Sequence, residues 1–200
     1  MGTALRQNPN YFHNDIDVDF LVWMDVETTG LVAHDGTLLL EVAALVTDLE
    51  YNLLDETGFE AAVHWPALRL QVARTMADPY VQNMHQTSGL WDKSADPTRS
   101  TPVDQVDTAL HAYITSLVPT ARTARLAGNS VRLDLNFAEM FLPKVAGHLH
   151  YRMYDMTSID LFVKRRVPVT AYEKVSAHTA MSDIRESLEQ ARRIDRATFG

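Results

Sequence analysis

Five side chains in this sequence are of types that could do chemistry together. Asp25 and Glu27 sit in "LVWMDVETTGL", Asp134 in "LAGNSVRLDLNF", and His178 and Asp183 in "AHTAMSDIRES". Carboxylates hold hard cations, and an imidazole moves protons near neutral pH. The first pair poses a problem. Its stretch reads as a buried β-strand, strand side chains alternate faces, and both carboxylates therefore point the same way. Two like charges on one face of an apolar strand are costly unless something compensates them. Taken singly, each candidate also has an ordinary reading. The pair could be a solvated strand face, Asp134 a helix-start acid favoured by the macrodipole, Asp183 a solvated helix acid and His178 a surface histidine.

The elements that must position these groups are legible in outline. Phe20 to Val26 reads as a first strand, apolar on both faces and therefore central. Thr37 to Asp48 reads as a second strand and Thr57 to His64 as a third. Short links between them predict an antiparallel meander. A helical half follows, with helices over Leu68–Ala77 and Pro79–Gln86. The Ser-, Thr-, Asp- and Pro-rich stretch Trp91–Pro102 reads as a loop. Pro102 opens a helix to about Leu117, with Val103, Val106, Leu110, Ile114 and Leu117 at helical spacing. Ala124–Asn129 is a fourth strand, and Leu133–Leu142 a helix with Asp134 in its first turn. "HYRMYDM" is extended, Ser158–Arg166 a short helix, and a last helix runs from about Thr179 to Ile194 with Asp183 on it. The order predicts an α/β domain, a mixed sheet covered by helices. Met1–Asn14 is polar and reads as a flexible leader, leaving residues 15–200 as a single domain.

Composition narrows the function classes. Of 200 residues, 46% are hydrophobic and 22% charged, which is ordinary for a globular chain. With no cysteine, disulfides, thiolate metal sites and a thiol nucleophile are excluded. That fits a reducing cytoplasm. The first residues carry no apolar signal-peptide core, and the longest apolar runs are too short to cross a bilayer. A net charge of −8 argues against a long basic groove for a polynucleotide. It leaves room for a short nucleotide held by metal ions.

Together the blocks form a pattern. D-x-E on a strand, a later Asp at a helix start and H-x4-D on a final helix resemble the DEDDh exonucleases of the ribonuclease H-like fold. The blocks "LVWMDVETTGL", "HQTSGL", "LAGNSVRLD", "HYRMYDMTS" and "HTAMSDIRES", in that order, resemble the oligoribonucleases among them, over about Phe20 to Arg193. The resemblance implies a mixed sheet whose first three strands are antiparallel and the rest parallel. It implies that Asp25, Glu27, Asp134 and Asp183 hold two divalent metal ions, Mg²⁺ or Mn²⁺, which would compensate the buried carboxylates. His178 would be the general base that takes a proton from the attacking water. Hydrolysis at the 3′ end would release 5′-nucleoside monophosphates.

The resemblance further implies a preference for very short RNA, dinucleotides above all. Leu31 would wedge between the two bases, although by itself it reads as a core leucine. Tyr80 and His85 would line the nucleotide site; alone they read as a half-buried tyrosine and a surface histidine. Ser130, Arg152 and Thr157 would cap the terminal phosphate, and Tyr151 would stack on a base. In the family Tyr151 and Arg152 reach in from the other subunit, so a homodimer is implied. The chain departs from the family at Thr28, where Met is usual; "D-x-E-T-T-G" is the spelling of proofreading-type enzymes. It departs also at Leu161, where relatives carry a hydroxyl. Two alternatives stay open: trimming of longer single-stranded DNA or RNA 3′ ends, and a catalytically inactive nucleotide-binding protein.

Overall fold

The computed structural model describes residues 19–166 and 179–199. Its first three strands are β1 (Phe20–Thr28), β2 (Leu39–Asp48) and β3 (Phe59–His64). They form the expected antiparallel meander, β1 pairing with β2 and β2 with β3. Then come α1 (Ala67–Met76), α2 (Pro79–Thr87), α3 (Leu90–Ala95), the two-residue β4 (Thr101–Pro102) and α4 (Val103–Leu117). The rest alternates: β5 (Ala124–Gly128), α5 (Arg132–Phe141), α6 (Pro143–His148), β6 (His150–Asp155), α7 (Met156–Val163) and α8 (Ala180–Phe199). The six-stranded sheet has the order β4-β3-β2-β1-β5-β6. β5 runs parallel to β1, and β6 parallel to β5. The sheet is therefore mixed, as the sequence predicts.

Alternation along β1 assigns its two faces. Val22, Met24 and Val26 pack in a core with Leu110 and Ile114 of α4, Phe137 of α5 and Val145 of α6. Leu21 and Trp23 face the other way, toward Ile184, Leu188 and Ala191 of α8. Burying each such side chain stabilises the fold by about 1.5–3 kcal/mol. Both faces of β1 are thus covered, which is why its run is almost wholly apolar. Asp25 and Glu27 continue the odd-numbered face, so they open toward α8.

Two stretches differ from the sequence reading. Trp91–Pro102 is not all loop: α3 ends at Ala95, and Leu90, Trp91 and Ser94 are buried. Its turn-forming residues begin only at Asp96. The short helix α6, opened by Pro143, was not anticipated. The expected leader, Met1–Asn14, lies outside the described residues. Among the described residues no helix is long and apolar enough to cross a membrane.

Candidate active site

The site forms where the chain crosses the sheet. The β1–β5 ladder runs from Phe20/Ala124 to Trp23/Ala127, and β5 ends at Gly128. The last residues of β1 therefore extend past β5, at a point where strand order reverses and α/β sheets place their ligands. A register shift follows Glu27. Such a shift at a strand end re-aims side chains. Asp25, Glu27 and Asp183 each offer a carboxylate oxygen there, and these oxygens lie within 4.8 Å of one another. Asp183 arrives in the first turn of α8, its N–H bonded to the Thr179 carbonyl. Glu27 is buried, and Asp25 and Asp183 are partly buried.

Asp134 stands beside this trio. It lies in the first turn of α5 and is 4% exposed. Its Oδ1 accepts the Val26 N–H at 3.1 Å, the backbone donor between Asp25 and Glu27. Gly128 permits this approach. A Cβ there would meet Val131 Cγ1 at 3.1 Å and the Met24 carbonyl at 3.3 Å, and its φ of 153° disfavours other residues. Burial pushes the Asp134 carboxyl up to about 7, against the pull of the Val26 N–H. A carboxyl so placed must be protonated or face a cation. The donor set of the site is all oxygen, which suits hard divalent ions.

Around the turn after β1 the other candidates separate by burial. Leu31 is 77% exposed, so it is not the core leucine its type would suggest. Tyr80 is 66% exposed, in the first turn of α2, where Asp78 accepts its N–H. His85 is fully buried rather than a surface histidine. Its Nε2–H donates to the Thr28 carbonyl at 2.9 Å, and Nδ1 lies 3.9 Å from Glu27 Oε2. Burial holds its pKa below the ordinary histidine value, opposed by the Thr28 carbonyl and the Glu41 carboxylate. A neutral His85 thus ties α2 to the β1 turn. The Thr28 hydroxyl donates to the Gly30 carbonyl at 2.8 Å.

A second group gathers at the sheet edge. Ser130 has a left-handed φ of 54° and is held there by polar contacts. Its N–H donates to Asp155 Oδ1 at 2.8 Å and to Thr157 Oγ1 at 3.1 Å, and the two hydroxyls are 3.2 Å apart. Tyr151 is exposed on the edge strand β6, stacked on His150, and the Arg152 guanidinium lies 5.3 Å from its ring centre. Leu161 and Phe162 of α7 are exposed as well.

His178 lies outside the described residues, one position before Thr179. One buried acid at the site has no signal in the sequence: Glu41, which pairs with Glu27 across the β1–β2 ladder. A lone acid within "TLLLEVAALVT" gives no signal until the register places it.

With this geometry in place, comparison with known proteins is direct. Residues 22–191 match the RNase_T family, described as "Exonuclease". The chain is 38% identical over 182 residues to an oligoribonuclease of Nocardia farcinica, covering 90% of this chain and 81% of that one. It is 40% identical over 185 residues to an oligoribonuclease of Rhodococcus jostii, covering 90% and 88%. Among solved structures, a product-bound exonuclease I aligns with a TM-score of 0.62 at 14% identity, over 90% of this chain. E. coli exonuclease I in complex with an oligonucleotide aligns with a TM-score of 0.59 at 15% identity. This chain spans 44% and 41% of those two chains, and the likeness concerns the fold, a ribonuclease H-like α/β sheet. The chain belongs to the exonuclease family and, within it, to the oligoribonucleases, and is on that footing a 3′–5′ exoribonuclease.

Proposed function

We propose that this protein hydrolyses very short oligoribonucleotides, dinucleotides above all, to 5′-nucleoside monophosphates in the cytoplasm. The observation that carries the reading is the convergence of Asp25, Glu27 and Asp183 within 4.8 Å, in a chain of this family. With Asp134 they would hold two divalent cations, Mg²⁺ or Mn²⁺. Ions held there would supply positive charge to the scissile phosphate and its leaving oxygen.

The chain's own groups do the rest. His178 takes the proton of the attacking water, a task an imidazole suits near neutral pH. The water oxygen bonds to phosphorus, the P–O3′ bond breaks, and O3′ leaves with a proton. Leu31, exposed after β1, wedges between the two bases; Tyr80, also exposed, and His85 line the nucleotide site, His85 buried and bonded to the Thr28 carbonyl. Ser130 and Thr157 offer hydroxyls to the terminal phosphate. The Arg152 fork donates to that phosphate and Tyr151 stacks on a base, both reaching the site of a second copy in a homodimer. A net charge of −8 fits one or two phosphates rather than a long strand. The "TTG" spelling around Thr28 favours a second reading, trimming of longer DNA or RNA 3′ ends.

A length series of labelled RNA and DNA oligomers, from dinucleotide upward with Mn²⁺ or Mg²⁺, separates these readings. The expected result is fastest turnover of the RNA dinucleotide. Equal or better rates on long oligomers would favour trimming, and no turnover of any oligomer would leave a nucleotide-binding protein.

A further inference from the structure

Glu41 is 4% exposed, yet it carries a charge and faces another. It is the cross-strand partner of Glu27, so both side chains lie on the α8 face. Like charges directly opposite one another destabilise a sheet unless one is otherwise engaged. Glu41 is engaged on both oxygens. Oε1 accepts Lys93 Nζ of α3 at 2.7 Å, and Oε2 accepts the Ala180 N–H at 3.4 Å. Lys93 also lies 3.7 Å from Glu60.

Ala180 is the first residue of α8, so its N–H has no acceptor within the helix. A carboxylate at that end also complements the helix dipole. Thr179 Oγ1 accepts the Ser182 N–H at 3.3 Å, so two side chains share the cap, one from the helix and one from β2. Asp183 lies three residues beyond Ala180, less than one helical turn. Whatever fixes Ala180 thus fixes the carboxylate that completes the site.

The geometry points to Glu41 as a positioning residue. It ties the start of α8, and with it Asp183, to the strand opposite Glu27, while Lys93 cancels its charge so that it does not compete for the cation. This role rests on the exonuclease reading of the trio. A plain core ion pair would affect stability alone, and a metal ligand would be irreplaceable by a neutral side chain.

The test compares Glu41→Ala, Glu41→Asp and the double variant Glu41→Gln/Lys93→Met with wild type and Asp25→Asn. Three quantities are read: Mn²⁺ affinity by calorimetry, kcat and KM on an RNA dinucleotide, and the melting temperature without metal. For Glu41→Ala, Mn²⁺ affinity and kcat should each fall about 10–100-fold, the scale of losing a partner that orients a ligand. KM should change little. In the double variant the Gln amide oxygen still accepts Ala180 and Met replaces the Lys93 stem, so affinity and kcat should return close to wild type.

If Glu41→Ala does not fold, Glu41→Asp carries the test. It keeps the charge but withdraws it by a methylene, and kcat should fall about tenfold at constant KM. Wild-type affinity and kcat in the folded single variants would overturn the role and leave a core ion pair. Loss of Mn²⁺ binding in the double variant as complete as in Asp25→Asn would overturn it in favour of a ligand. If wild type cleaves no oligonucleotide, the exonuclease reading fails, while the Mn²⁺ arm still decides the role of Glu41.

Discussion

The end of β1 and the outer edge of the sheet are built on opposite principles. At β1, one carboxylate is buried and another partly buried on a strand covered on both faces, and a backbone N–H, Val26, fixes Asp134. At the edge, Tyr151, Leu161 and Phe162 stand exposed on β6 and α7. The first region is held by contacts within the chain. The second is a surface whose aromatic and basic groups would, on the proposed reading, gain neighbours from a substrate or a second copy. On the proposed reading, chemistry belongs to the centre and length selection to the periphery. The contrast makes a division testable: lesions at the centre should lower kcat, and lesions at the edge should raise KM.

The largest effect is expected from Asp134→Asn. The amide oxygen can still accept the Val26 N–H, and the buried charge is gone. Turnover should fall about 10⁴-fold, the scale of removing one member of a catalytic unit. The melting temperature without metal should stay level or rise, since burying the carboxylate form is costly. Near-wild-type activity with intact metal binding would break the central half of the comparison.

Metal occupancy gives the next effect. Chelation should abolish turnover, and Mn²⁺ at 100-fold its Kd should stabilise the fold by about 2.7 kcal/mol. Asp25→Asn should lose most of that stabilisation in a thermal melt, whereas Tyr151→Ala should keep it. A Tyr151 variant that also lost it would mean that the two regions are not separable.

Edge lesions should be milder. Arg152→Ala removes a charge-assisted contact to phosphate, about 1.5–3 kcal/mol, and should raise KM about 10–100-fold with kcat little changed. A mixing experiment sharpens this. Asp25→Asn and Arg152→Ala protomers combined one to one should regain about a quarter of wild-type activity if each site borrows Arg152 from the partner of a symmetric dimer. No gain on mixing would place Arg152 in its own protomer's site.

The same contrast explains what could be read from sequence. The central region announces itself because strand alternation puts Asp25 and Glu27 on one face, and apolar flanks make a pair of charges conspicuous. The meander of β1, β2 and β3 follows from three strands in succession joined by short links. What alternation does not carry is register. Glu41 becomes meaningful only when it is seen opposite Glu27, and Asp134, which the family pattern singles out, gains its contact to Val26 only in the fold. Composition misled at Trp91–Ala95, where polar residues hide the buried face of a short helix. It also failed at α6, which is six residues long and too short for a period. The burial of His85 depends on α2 packing beneath the β1 turn, a tertiary fact with no local trace.

The smallest effect is expected at Thr28, which the sequence reading marks as a departure from the family. A hydroxyl beside the catalytic acids invites the idea that it reads the sugar of the substrate. Its surroundings argue otherwise. Thr28 is 9% exposed, and its hydroxyl is spent on the Gly30 carbonyl within the turn. Its own carbonyl takes His85 Nε2–H, so the backbone is anchored whatever the side chain. Thr28→Met should therefore cost about 1 kcal/mol, one neutral hydrogen bond, in a denaturant melt. The ratio of kcat/KM for RNA over DNA dinucleotides should shift by less than about threefold, since no contact to the sugar is lost. A tenfold shift would mean that Thr28 leaves the turn when substrate binds, and that selectivity for the sugar begins at the centre of the sheet rather than at its edge.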